Sequence, residues 1–209
     1  MNLPNALTIL RIFFVPLLVV VLLTRQPNVV IWGVPIPFVV WGILILLTAA
    51  ATDWADGYFA RRRGQETTLG ILLDPIADKL LISAAFISLV EMGLIHAWMV
   101  VIIIGREFIV NGLRSIASAE GFTIQASALG KTKMVLQVVA ACAVILVSWH
   151  PELKLFAEIL VWMVVASATA SCVQYFMKFW SQVDGSIKQR RRLRLLEAAA
   201  KKTQDVPTL

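Results

Sequence analysis

Four aspartates, Asp53, Asp56, Asp74 and Asp78, lie within one stretch, TDWADGYFARRRGQETTLGILLDPIADKL, of an otherwise strongly apolar chain. Carboxylates at or near bilayer depth are costly, and where they occur they usually mark an ion path or a reaction centre. Asp53 and Asp56 are three residues apart and Asp74 and Asp78 four apart, spacings that put each pair on one face of a helix. Two such faces brought together would form a four-carboxylate cluster, which a hard divalent cation neutralises well through oxygen ligands. The residue types and their spacing point to a metal-dependent membrane enzyme.

The elements that position these carboxylates follow from the apolar runs. Of 209 residues, 59% are apolar and 15% charged, with a mean hydropathy of +0.81. Soluble domains carry about 45–50% apolar and about 25% charged residues, so an ordinary soluble fold is excluded. Runs of spanning length fall at 6–24, 37–56, 70–92, 96–118, 133–149 and 155–178. The expected fold is an all-α integral membrane protein with six transmembrane helices. Arg61, Arg62 and Arg63 lie in the second connection, Arg114, Lys131 and Lys133 flank the fourth, and KQRRRLR lies in the tail. The odd-numbered connections hold only Arg25 and Lys154. By the positive-inside rule both termini are cytoplasmic, and the four aspartates sit at the cytoplasmic end of the bundle.

Residues 1–183 read as a six-helix membrane domain and 184–209 as a basic cytoplasmic tail, expected to be a helix on or near anionic headgroups. The net charge of +6 belongs with anionic membrane lipids and not with nucleic acid. Cys142 and Cys172 fall inside spans, without a CxxC or a nearby histidine, and read as small apolar residues. The N-terminus has neither a basic region before its apolar run nor a cleavage site, so it is expected to be a retained first helix. His96 and His150, beside Trp98 and Trp149, read as interfacial. Trp41, Trp162 and Trp180 are expected to face lipid or the belt, whereas Trp54 lies inside the aspartate stretch and could pack on a ligand.

Written out, that stretch is Asp53-x-x-Asp56-Gly57-x-x-Ala60-Arg61, eight residues, Gly70-x-x-x-Asp74-x-x-x-Asp78. It resembles the signature of the CDP-alcohol phosphatidyltransferases at eight defined positions across twenty-six residues. The resemblance implies displacement of CMP from a CDP-linked lipid, here CDP-diacylglycerol, by an alcohol. It also implies two divalent ions, Mg²⁺ or Mn²⁺, held by Asp53, Asp56, Asp74 and Asp78, with Asp78 as general base. Gly57, Ala60, Arg61 and Gly70 then form the CDP pocket. The small residues admit a flat base or a close helix, and Arg61 contacts phosphate or fixes an aspartate.

A second polar set, in GREFIVNGLRS and SALGKTKM, comprises Arg106, Glu107, Arg114, Lys131 and Lys133. Arg106 lies within a span, too deep for a topology charge, and guanidinium forks suit the phosphate of a phosphorylated acceptor. Adjacent helix positions face different ways, so Glu107 need not be its partner. The start NLPNALTILRI and the segment GREFIVNGLR resemble the bacterial branch of the family whose acceptor is sn-glycerol 3-phosphate. That likeness implies that Thr8 and Arg11 close the active site from the first helix, although Arg11 could also snorkel to headgroups. It implies a multi-pass protein of the bacterial inner membrane, and a homodimer is compatible with the chain. The same chemistry with inositol phosphate, serine or phosphatidylglycerol as acceptor stays open. A divalent-cation or proton-coupled transporter is disfavoured, because VVWGILILL, WMVVIII and VVAACAVIL offer no polar path across the bilayer and no internal repeat is visible.

Overall fold

The structure, a computed structural model, describes the backbone of residues 3–24, 28–31, 34–63, 68–120 and 129–204, and the side chains of 9–24, 36–52, 76–77, 79–120 and 133–183. Its helices are α1 (Leu3–Leu23), α2 (Phe38–Arg63), α3 (Thr68–Glu91), α4 (Ala97–Ala119), α5 (Leu129–Val147) and α6 (Lys154–Gln204). A 3₁₀ turn over Pro151–Leu153 leads into α6. Leu-, Ile-, Val- and Ala-rich runs become helices because a helix satisfies its own backbone groups, which an apolar environment cannot do.

Three features depart from the expected elements. The connection before α2 holds two antiparallel strands, β1 (Asn28–Ile31) and β2 (Val34–Pro37), with Val29 opposite Ile36, so the chain is not wholly α. The β-branched residues of NVVI and VPIP favour this extended pairing. Helix α2 runs on to Arg63, so Asp53, Asp56, Gly57, Ala60 and Arg61 share one helix. Helix α6 does not stop where its apolar run ends, but continues through Asp184 to Gln204 as one 51-residue helix. Its basic part, KQRRRLRLLEAAAKK, consists mainly of strong helix formers, so polarity ends the apolar stretch without ending the helix.

The chain divides into two compact units, one of Met1–Glu107 with Ser127–Thr169, the other of Phe108–Ala126 with Ala170–Leu209. In the first, α1 packs against both α2 and α3, and α5 also packs against α2 and α3. Leu18, Leu46, Leu81, Phe86, Ile103 and Ile145 are fully buried there. Ala85, Ala140 and Ala141 are buried beside them, and such small residues let helix backbones approach closely. Gly42 on α2 sits against Leu22, whose Cδ2 would lie 2.6 Å from an added Cβ. Gly93 closes α3 at φ +72, with Leu94 N–H donating to Leu89 C=O at 3.0 Å and Gly93 N–H to Val90 C=O at 2.9 Å. These two bonds form a Schellman cap, for which a glycine is the ordinary residue. In the second unit Val110, Ala117 and Tyr175 are buried, with Phe179 packed on them.

Large apolar side chains also point outward: Phe13 is 67% exposed, Val101 68% and Leu155 70%. Apolar exposure repeated along helix after helix is unusual for a soluble monomer and suits a lipid-facing surface. Among the described residues one helical stretch, Pro151–Val183, is long and apolar enough to cross a membrane; Ile9–Leu23, Phe38–Thr52 and Lys133–Val147 are shorter apolar helices. Trp162 and Trp180 are exposed. Trp41 differs, since its Nε1 is buried without a hydrogen-bond partner among the described residues. Cys142 and Cys172 are free and half-buried.

Candidate active site

The aspartates fall on two consecutive helices. Asp53 and Asp56 lie in the C-terminal half of α2, and Asp74 and Asp78 in the N-terminal half of α3. Gly57, Ala60 and Arg61 follow on α2, and Gly70 opens α3, with only residues 64–67 between the two helices. The three- and four-residue spacings therefore fall on continuous helical backbone, and α2 packs directly against α3. The side chains of all eight residues lie outside the described ones, as do those of Thr8 on α1 and Lys131 on α5. The donor set is all carboxylate oxygen, which fits a hard divalent ion and not a soft one. Among the described side chains no group of three His, Cys, Asp or Glu could hold a metal.

Arg11 is the largest fully buried side chain described. It lies one turn after Thr8, on the helix that packs on both α2 and α3. Complete burial rules out a guanidinium snorkelled to the headgroups.

A cavity of about 140 Å³ in the first unit opens between α3, α4 and α5. Its lining includes Lys79 and Ser83, Arg106 and Glu107, and Lys133 and Gln137. On α3 and α5 the paired residues stand one turn apart, which is how helical neighbours come to share a face. Arg106 Nη1 donates to Glu107 Oε1, so the adjacent carboxylate is its partner after all. Both side chains are long enough to bend towards each other, an option that a count of helix faces leaves out. Among the described residues that line it, Lys79, Arg106 and Lys133 stand with one carboxylate, Glu107, a donor set suited to phosphate oxygens.

Of the acceptor residues expected from sequence, the cavity gathers Arg106 and Lys133. Arg114 belongs to the second unit, where its Nη2 donates to the Tyr175 hydroxyl at 3.2 Å and its guanidinium carbon lies 5.9 Å from the ring centre. Lys79, Ser83 and Gln137 were not expected. The signal was available, because Lys79 follows Asp78 and Gln137 stands one turn after Lys133, each a polar residue on an apolar helix. A larger cavity, about 500 Å³, is lined by Gly93, His96, Trp98, Lys154, Glu158 and Trp162, among others. It lies at the far end of α3 from Asp74 and Asp78, so its size does not make it the reaction centre.

Comparison with known proteins identifies the family and the fold. Residues 1–186 match the family model described as CDP-alcohol phosphatidyltransferase. A relative from Bacillus subtilis (strain 168), named CDP-diacylglycerol--glycerol-3-phosphate 3-phosphatidyltransferase, is 38% identical over 195 residues, covering 88% of this chain and 98% of its own. One of the same name from Escherichia coli (strain K12) is 35% identical over 182 residues, covering 83% and 92%. Among solved structures, Mycobacterium tuberculosis phosphatidylinositol phosphate synthase with CDP-DAG bound superposes with a TM-score of 0.60 at 20% identity, over 86% of this chain and 87% of that one. The same synthase in complex with manganese and citrate gives 0.59 at 21% identity, over 86% and 83%. At these identities the likeness is one of fold.

Proposed function

Since this chain belongs to the CDP-alcohol phosphatidyltransferase family, we propose that it transfers the phosphatidyl group of CDP-diacylglycerol to sn-glycerol 3-phosphate, giving phosphatidylglycerophosphate and CMP. The observation that carries the reading is the eight-position aspartate signature laid across the adjoining ends of α2 and α3. The relatives' names support the acceptor, and so does the cation-rich cavity.

Asp53, Asp56, Asp74 and Asp78 would hold two divalent ions, Mg²⁺ or Mn²⁺. Bound there, the ions would neutralise the pyrophosphate and the charge that develops on it. A protein with this fold is solved in complex with manganese and citrate, which supports a divalent ion as the cofactor. Gly57, Ala60, Arg61 and Gly70 hold the cytidine diphosphate. Arg106 and Lys133, with Lys79, hold the acceptor's phosphate, while Thr8 and Arg11 close the site from α1 and Arg114 and Lys131 add positive charge. Asp78 takes the proton of the acceptor's primary hydroxyl. That oxygen bonds to the phosphatidyl phosphorus, the bond to the bridging oxygen breaks, and its electron pair leaves on CMP.

Six spans with both termini cytoplasmic, in a bacterial inner membrane, place this site where water-soluble acceptor and membrane-bound donor meet. Basic residues after Asp184 contact anionic lipids, and the protein could act as a homodimer.

Release of CMP by the purified protein, measured with CDP-diacylglycerol, Mg²⁺ and each of several acceptors, tests the reading. The expected result is EDTA-sensitive release with glycerol 3-phosphate. Release with inositol phosphate, serine or phosphatidylglycerol instead would keep the mechanism and replace the acceptor. No release with any of them, from folded protein, would overturn it.

A further inference from the structure

The cavity between α3, α4 and α5 has an uncharged layer beneath its charged one. Helices α3 and α5 both contribute residues one turn apart to the lining, Ser83 one turn beyond Lys79 and Gln137 one turn beyond Lys133. Helix α4 runs the other way, which puts Ile103 beyond Arg106. One turn is about 5.4 Å, roughly the step from the phosphate of a small polyol phosphate to its carbon-bound hydroxyls.

Gln137 is the informative member of this layer. It is 7% exposed, among apolar α5 neighbours such as Val138, Ala140 and Ala141 that are themselves buried. Its side chain lines the cavity. A primary amide that lines a cavity can exchange hydrogen bonds with a ligand held there. An amide both donates and accepts, so it suits a hydroxyl, which does the same, better than it suits a phosphate oxygen.

We infer that Gln137 is a specificity-determining residue that reads the secondary hydroxyl of the phosphorylated acceptor. Ser83 is the neighbouring polar group on the facing helix. The inference rests on the acceptor site proposed above. It adds the element that charge cannot supply: Lys79, Arg106 and Lys133 would hold any phosphate monoester, whereas an amide one turn deeper selects for a hydroxyl next to the reacting one. A site that hydrogen-bonds a substrate hydroxyl discriminates strongly against the analogue lacking it, because its own polar group is then left unpaired.

The test compares sn-glycerol 3-phosphate with its 2-deoxy analogue, 3-hydroxypropyl phosphate, in wild type and in Gln137→Leu, with Mg²⁺ and CDP-diacylglycerol. Wild type should prefer glycerol 3-phosphate by roughly tenfold or more in kcat/KM, the scale of one lost hydrogen bond. In Gln137→Leu that preference should collapse towards unity, with KM for CDP-diacylglycerol unchanged. Equal discrimination in the variant would overturn the inference while leaving the acceptor itself established. Equal turnover of both acceptors by wild type would also overturn it, without any variant having to fold. Failure of wild type to use glycerol 3-phosphate at all would instead remove the proposed function, and the inference with it.

Discussion

At the residue scale, electrostatics decides which side chains can matter. A carboxylate in a largely apolar helix bundle is retained only where something neutralises it, and two pairs on adjoining helix ends are best neutralised by bound cations. Asp74→Asn is expected to abolish CMP release while leaving a folded, detergent-extractable protein; wild-type-like turnover in that variant would remove the two-ion mechanism. Arg106 is 11% exposed on its side chain and paired with Glu107, so its loss has two consequences. The acceptor phosphate loses a charged hydrogen-bond donor, worth about 1.5–3 kcal/mol, and the Glu107 carboxylate is left facing that phosphate. Arg106→Ala should therefore lower kcat/KM for glycerol 3-phosphate at least tenfold with binding of CDP-diacylglycerol largely intact. Unchanged acceptor kinetics would take Arg106 out of the pocket. Lys133→Met should act in the same direction but more weakly, because a flexible ammonium makes no bidentate fork.

At the scale of elements, the site depends on how closely helices approach. Gly42 lets α1 meet α2 at Leu22, with no room for a branched side chain. Since α1 also packs on α3, it ties together the two helices that carry the aspartates. Gly42→Ala should be nearly neutral, because the obstructing atom is the end of a Leu side chain that can rotate away and alanine is the better helix former. Gly42→Val should cost about 1–3 kcal/mol through overpacking, seen as a lower unfolding temperature in detergent. An unaltered melting point for the valine variant would show that α1 and α2 can separate without loss. The same logic explains why apolar runs located the helices but not all of their ends. Hydropathy marks where lipid contact stops, whereas the helix stops where its backbone is capped, as at Gly93, and α6 runs on for 51 residues.

At the scale of the whole molecule, the two compact units divide the functional groups unequally. The first holds the aspartate helices, Arg11 and the cavity lined by Lys79, Arg106 and Lys133; the second holds Arg114 with Tyr175 and the basic end of α6. The family match ends at residue 186, just before the basic residues that begin at Lys188. Truncation after Asp184 is expected to leave kcat for both substrates within about twofold in detergent. It should weaken association with vesicles containing anionic lipid, at about 1 kcal/mol per basic residue held near the surface. Loss of turnover in detergent would instead assign the tail to the reaction.

The mainly helical class, the helix positions and the family were legible in the chain alone, because each rests on local information: apolar run length, helical periodicity and a dense motif. Arg106 also stood out there as too deep to be a topology charge. Which polar residues share a cavity was not legible. Lys79, Arg106 and Lys133 come from three helices, and nothing in their spacing along the chain says that these helices meet. The burial of Arg11, the turn of Glu107 towards Arg106 and the pairing of the first connection as two strands likewise emerge only in the folded chain. Each of these depends on what stands opposite in space, and packing of distant segments fixes that.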